Sequence, residues 1–232
     1  MDATPDTHEI KLSISEKLSQ FMQKNRKIII IGFISLFVVL IAFIAGFSIN
    51  DKISAKAFSR VDSFESRYNE LKPFIGGEGT EAASKQADIT ALLEELSAFQ
   101  KEISGFAAAR AFNISAGIYE NQKKWAEAEK AWTDAANAAK KSYLAPVSLY
   151  NAAVAAEEQG NTESAIGLYK KALDFGDAFI GAARAQFSIG RLEESLNNRE
   201  AALDAYKSLV SKWPNDPIWS NFAHSRIIAL SE

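Results

Sequence analysis

An all-α chain is predicted: one transmembrane helix followed by a right-handed solenoid of helix-turn-helix units. Three features of the sequence carry that prediction. Residues Ile28–Ile49 form a run without a single charge. A trio of packing residues recurs three times at a period of 37 residues. Proline is scarce, at 5 of 232 residues, so little in the chain interrupts a helix.

The apolar run sets the compartment. At ~1.5 Å rise per residue a helix of this length crosses the ~30 Å hydrocarbon core. It also satisfies its own backbone, so it needs no partner in lipid. Ala55-Lys56-Ala57 offers a cleavage-site pattern. The apolar run, however, exceeds the ~7–15 residues of a signal peptide core. Cleavage of the span stays open at this point. Lys11, Lys17, Lys24, Arg26 and Lys27 precede it, and Lys52, Lys56 and Arg60 follow more loosely. Positive charge stays inside, which puts the N-terminus in the cytoplasm and the C-terminal domain outside it; in a diderm bacterium that means an inner-membrane anchor and a periplasmic domain.

Four segments follow from this reading: a short cytoplasmic segment (1–27), the span (28–49), juxtamembrane helices with a degenerate first repeat (50–105), and the repeats with a capping helix (106–232). Met1–Thr7 is polar. From His8 onward, Ile10, Leu12, Ile14, Leu18, Phe21 and Met22 form an incomplete apolar stripe. It suits a helix lying in the headgroup layer, or one docking on a cytoplasmic or membrane partner. After the span, Ile53, Ala57, Val61, Phe64, Tyr68 and Leu71 mark one helix face, which Pro73 stops. Gly76-Gly77-Glu78-Gly79 is a loop without the Lys-Ser/Thr of a phosphate loop. A further helix carries Ile89, Leu92, Leu93, Leu96, Phe99 and Ile103, with Gly105 as its expected terminator.

The repeat begins beyond this point. Ala128, Trp132 and Ala135 recur as Ala165, Tyr169, Ala172 and as Ala202, Tyr206, Leu209. The small residue lets a neighbouring helix approach, and the aromatic one turn on fills the space above it. Gly160 and Asn197, also 37 apart, fall where the chain leaves one helix for the next; both tolerate a left-handed backbone. This pattern resembles the tetratricopeptide repeat, whose period is ~34 residues and whose signature includes Ala-x3-Phe and a closing Pro. The matching pieces are Ala128-x3-Trp132, Ala165-x3-Tyr169 and Ala202-x3-Tyr206. Phe112, Ala116 and Tyr119 take first-helix positions in unit one; Ile189-Gly190 take them in unit three, which Pro214 closes. Each unit here is longer than usual, and Pro146 begins the second unit. Gln186 and Glu193 replace bulky anchors, so the third unit's first helix is expected to rotate. Asp216-Pro217 starts a capping helix, with Ile218, Trp219, Phe222, Ile227 and Leu230 closing the stack. In architecture and repeat style the chain is similar to the bacterial YfgM-like family. That resemblance implies an association with the Sec translocon and periplasmic chaperones.

The composition argues against several activities. With 26 Lys+Arg against 29 Asp+Glu, no basic surface favours nucleic acid. There is no cysteine, which removes thiol catalysis and thiolate zinc sites. His8 and His224 are the only histidines and stand apart; Glu157-Glu158 and Glu193-Glu194 read as solvated faces, because neighbours on a helix diverge. Trp125 and Trp132 read as core. Asn113-Ile114-Ser115 is a glycosylation sequon within a helix, where it carries little meaning. We expect no enzyme, no catalytic residue, no cofactor, no metal and no small-molecule substrate.

Repeats of this kind bind partners on the face lined by their first helices. The register puts Arg110, Asn113, Gly117 and Glu120 there from unit one. Unit two adds Val147, Tyr150, Val154 and Glu157; unit three adds Arg184, Phe187, Arg191 and Glu194. Glu120, Glu157 and Glu194 form a ladder, either for a partner or as plain solvated surface. The Lys-and-Asn set of carboxylate-clamping repeats is lacking. Tyr150 and Phe187 are the expected anchors, although Phe187 could instead fill the core place left by Gln186. The expected partners are proteins, membrane-complex subunits among them. Two functions stay open: an adaptor at the translocon or among envelope chaperones, and a structural subunit of a secretion or motility machine.

Overall fold

The computed structural model describes residues 14–231, excluding the side chains of residue 14, residue 42 and residues 44–52. Among the described residues the chain is helical and carries no strand. It divides into two compact units, 1–55 and 56–232.

The first unit holds α1 (Ile14–Lys24) and the opening of α2 (Arg26–Leu71). Asn25 stands between them without breaking the hydrogen-bond ladder: its N–H donates to Phe21 O (3.0 Å), and Ile29 N–H donates to its carbonyl (2.9 Å). Leu18, Phe21 and Met22 are exposed on α1, while His8, Ile10 and Leu12 lie outside the described residues. On α2, Ile28, Phe33, Phe37 and Phe43 are 62–71% exposed. Among the described residues no helix is long and apolar enough to cross a membrane. The expected span, Ile28–Ile49, extends past Ile41 into side chains outside the description.

The second unit begins within α2. Its residues Ala57, Val61, Phe64 and Leu71 are buried against Ile89, Leu92, Leu96 and Phe99 of α3 (Thr80–Glu102) and against α4 (Gly105–Asn121). Phe64 and Phe99 meet edge to face at 5.5 Å. The predicted stop at Pro73 appears as a short 3-10 turn, Lys72–Phe74. Gly105 does not terminate α3, as expected from its type. The helix ends at Glu102, with Ile103 as its extended cap, and Gly105 opens α4 instead.

Pairs of antiparallel helices follow: α4 with α5 (Trp125–Ala138), α6 (Leu144–Glu158) with α7 (Thr162–Leu173), and α8 (Ala182–Ser195) with α9 (Arg199–Lys212). Each helix packs on the next in sequence, and α10 (Trp219–Ser231) covers α9 and α8. All nine members of the repeated trio are at most 8% exposed. Trp125 is only half-buried at the start of α5.

The turns explain how the period is kept. Lys123, Gly160 and Asn197 are all left-handed, with φ of 57°, 75° and 60°. Their N–H groups donate to the carbonyls of Glu120, Glu157 and Glu194, and the following N–H reaches back five residues in each case. That pairing is the Schellman closure of a helix. Lys123 went unrecognised in the sequence because its type gives no hint of a left-handed backbone.

The third unit's first helix is not rotated. Gln186 occupies the anchor place itself, 8% exposed, because its Nε2 donates to Ala205 O at 3.1 Å and so satisfies the buried amide. The capping helix starts later than expected, at Trp219. Asp216 still caps it, its Oδ1 accepting from Ile218 N–H (3.0 Å) and Trp219 N–H (2.7 Å).

Two substitutions test the packing and the turn. Ala165→Leu should lose ~1–3 kcal/mol in a denaturant melt followed by circular dichroism, since overpacking strains a filled core. Lys123→Gly should gain up to about 1 kcal/mol, because glycine removes the left-handed penalty. Wild-type stability for the first or a loss for the second would overturn the register.

Candidate functional site

The first helices α4, α6, α8 and α10 meet in succession, and the expected groove residues fall on α4, α6 and α8; Gly117 among them is buried against Tyr68 of α2. Arg110 of α4 reaches back to α2, paired with Asp62 (2.8 Å) and with Glu65. Asn113 Oδ1 accepts from Ser148 Oγ of α6 at 3.1 Å, which occupies the sequon's side chain. These two residues help line an open cavity of about 500 Å³, together with Glu65, Tyr68, Asn69, Phe106 and Tyr143.

The glutamate ladder is a set of interlocks between units. Tyr169 of α7 donates its hydroxyl to Glu157 at 2.6 Å, and Arg191 of α8 pairs with the same carboxylate. One unit on, Tyr206 donates to Glu194 at 2.8 Å; Arg226 of α10 adds Nε at 3.1 Å and a second guanidinium contact. Glu157 and Glu194 are thus each held by the tyrosine of their own unit and the arginine of the next. The tyrosine hydroxyls are pushed up, mainly by burial and then by the bond to their glutamate. Arg226, with Tyr206 assisting against burial, holds Glu194 below the ordinary carboxylate range. Tyr206 reaches its glutamate over Gly190, where a Cβ would come within 2.5 Å of the ring.

At the first interface the interlock is broken. Glu120 keeps the carboxylate, but the tyrosine place holds Trp132 and the arginine place holds Val154. Burial pushes the Glu120 carboxyl up; the Trp132 indole and Lys72 only partly oppose it. The indole Nε1 comes near without closing a hydrogen bond.

The aromatic anchors are half-buried rather than open. Tyr150 lies against Tyr169 (5.2 Å between centroids) and Phe179 (6.1 Å). Phe187 lies against Tyr206 and Trp219 (both 5.4 Å) and Phe222 (6.0 Å). Phe187 thus packs one side of its ring on the core, while Gln186 takes the anchor place. Arg184 is exposed, its guanidinium 5.4 Å from the Tyr150 ring and 5.8 Å from that of Trp219. Val147 is exposed and Val154 half-buried. The sequence reading missed Arg226, Trp219 and Phe222 as members of this face. Their spacing from unit three is 35 rather than 37, and the shortened turn at Asp216 hides the register. His224 is exposed, and among the described residues no group of His, Asp and Glu converges as metal ligands would.

Residues 147–174 and 184–216 match the tetratricopeptide repeat family. The chain is 37% identical over 156 residues to a "TPR repeat-containing protein" of Treponema pallidum (strain Nichols). The match covers 66% of this chain and 64% of that relative's length. The chain thus carries tetratricopeptide repeats, at the α6–α7 and α8–α9 pairs with the adjoining turns.

The interlocks have a pH signature. Glu194 ionises more easily folded than unfolded, so its contribution is present at neutral pH and lost as the pH falls through its depressed pKa. Glu120 has the opposite sign: its contribution exists at low pH and is lost as the pH rises through its raised pKa. In melts between pH 3 and pH 8, Glu194→Gln should cost at most about 1 kcal/mol at neutral pH, since solvent screens Arg226. Glu120→Gln should leave stability equal or higher there. Equal losses for both would refute the distinction.

Proposed function

We propose that this protein is a membrane-anchored adaptor whose repeat face binds protein partners at the bacterial inner membrane, linked to the Sec translocon or to envelope chaperones. In this reading residues 28–49 span the membrane, the N-terminus is cytoplasmic, and the repeats stand in the periplasm. The observation that carries the binding role is the row Tyr150, Phe187 and Phe222, half-exposed in successive first helices with Arg184 beside it. Rigid aromatics and arginine in a groove are the common anchors of protein interfaces. Tetratricopeptide repeats generally bind proteins, which agrees with the family match.

A binding role, rather than catalysis, is also favoured by how the groove uses its charges. Arg110, Glu157, Arg191 and Glu194 are all committed to ion pairs that hold helices together. The anchor rests on the charge-free run and on the exposed apolar side chains of α2 from Ile28 to Phe43. Lipid is the solvent that suits such a surface.

Topology is tested by adding protease to spheroplasts. Residues beyond 51 should be digested and 1–27 protected, and alkaline carbonate should leave the protein in the membrane pellet. Release into the supernatant would refute the anchor. For binding, crosslinking in intact cells with mass spectrometry should recover translocon or chaperone subunits. Recovery of ring or motor components instead would make the chain a structural scaffold. Arg184→Glu, at an exposed site, should weaken that recovery while the melting temperature barely moves. Unchanged recovery would remove this face from binding.

A further inference from the structure

Glu157 and Glu194 each receive an arginine from the following first helix, and the register reserves the same arginine for Glu120. At that place, 34 residues on as Arg191 is from Glu157, stands Val154. Valine has neither the reach nor the charge to complete the pair. The site keeps its other parts. Glu120 is half-buried, and among the described residues no cation forms an ion pair with it. Lys72 acts on it only through its field, and its ammonium lies 5.9 Å over the Tyr68 ring. Trp132 is 8% exposed, and its indole N–H comes near the Glu120 carboxyl without closing a hydrogen bond of good geometry. A carboxylate without its cation and a buried donor short of its acceptor mark an incomplete site.

We propose that Glu120, beside Trp132 and with Val154 at the register position of the missing arginine, is a subsite for an arginine side chain of the protein partner, which supplies from outside the guanidinium that the repeats supply elsewhere from within. The class of ligand follows from the two complete copies. In both, the carboxylate takes a guanidinium from one side while an aromatic donor holds it from the other. At Glu120 the bound guanidinium fixes the carboxylate so that the Trp132 N–H closes onto it. Arginine is favoured over lysine because its planar fork fits a carboxylate and stacks on aromatic faces. The inference rests on the proposal that this face binds proteins. It adds that the partner presents a basic residue at the first interface, away from the aromatic row around Arg184.

The test uses the full-length protein in detergent micelles with 15N-labelled tryptophan. The probes are the capped peptides Ala-Arg-Ala, Ala-Lys-Ala and Ala-citrulline-Ala, the last being neutral and of similar shape to the first. The Trp132 indole resonance should shift saturably with the arginine peptide, more weakly with lysine and not with citrulline. Glu120→Gln should abolish the response. Val154→Arg restores the guanidinium in cis, so it should produce the shift without peptide and block any further change. Equal shifts from arginine and citrulline, or a Val154→Arg variant that still responds, would overturn the subsite. Partner recovery separates this idea from the broader one. If Arg184→Glu loses the partner and Glu120→Gln keeps it fully, the subsite falls while the binding face stands. A Glu120-dependent dimer in sedimentation would assign the guanidinium to a second copy of this chain, and would likewise overturn it.

Discussion

A pair of short helices cannot bury both of its faces, and this limit organises the whole repeat region. Each pair leaves an apolar flank that only the next pair can cover. The chain meets the demand with a side chain small enough for backbones to approach, at Ala128, Ala165 and Ala202, and an aromatic ring one turn on. Once those contacts are fixed, the rest of the register follows. The helix exits must fall at Lys123, Gly160 and Asn197, and the glutamates three residues earlier must come to the rim of the face. The ladder is therefore a by-product of how the helices end, later put to electrostatic use.

Much of this was legible in the sequence because alanine and aromatic residues at a fixed spacing leave few ways to pack. The trio, the turns at Gly160 and Asn197, and the helix stop at Pro73 are all local statements about side-chain size or backbone freedom. The misreadings share another cause. Gln186 is polar at a place that calls for a bulky anchor, but a carbonyl from α9 supplies its partner, and no property of Gln186 itself announces that. Lys123 adopts the left-handed backbone because its neighbours on both sides are already fixed. Gly105 has the type of a terminator, yet the preceding helix ends without it.

The candidate site was legible as positions but not as chemistry. Every residue expected on the face of the first helices is found on α4, α6 or α8, since repeat symmetry alone decides that. What each one touches depends on residues a whole unit away. Glu157 meets Arg191 across 34 positions, and Arg110 meets Asp62 and Glu65 across more. Such pairs leave no periodic trace until the three-dimensional register is known. The result is a face whose charges are largely neutralised from within, so that discrimination among partners falls to its rings and to the few ions left over.

The arginine of each interlock always comes from the C-terminal neighbour, and that gives the stack a direction. At the two complete interlocks the guanidinium points backward and the carboxylate forward, so the coupling there is chemically one-way although the helices are pseudo-symmetric. The joint between the α4–α5 pair and α6 is the one without its guanidinium. That joint is held instead by continuous apolar packing and by the Ser148–Asn113 hydrogen bond, so salt screens the two joints C-terminal to it more than this one.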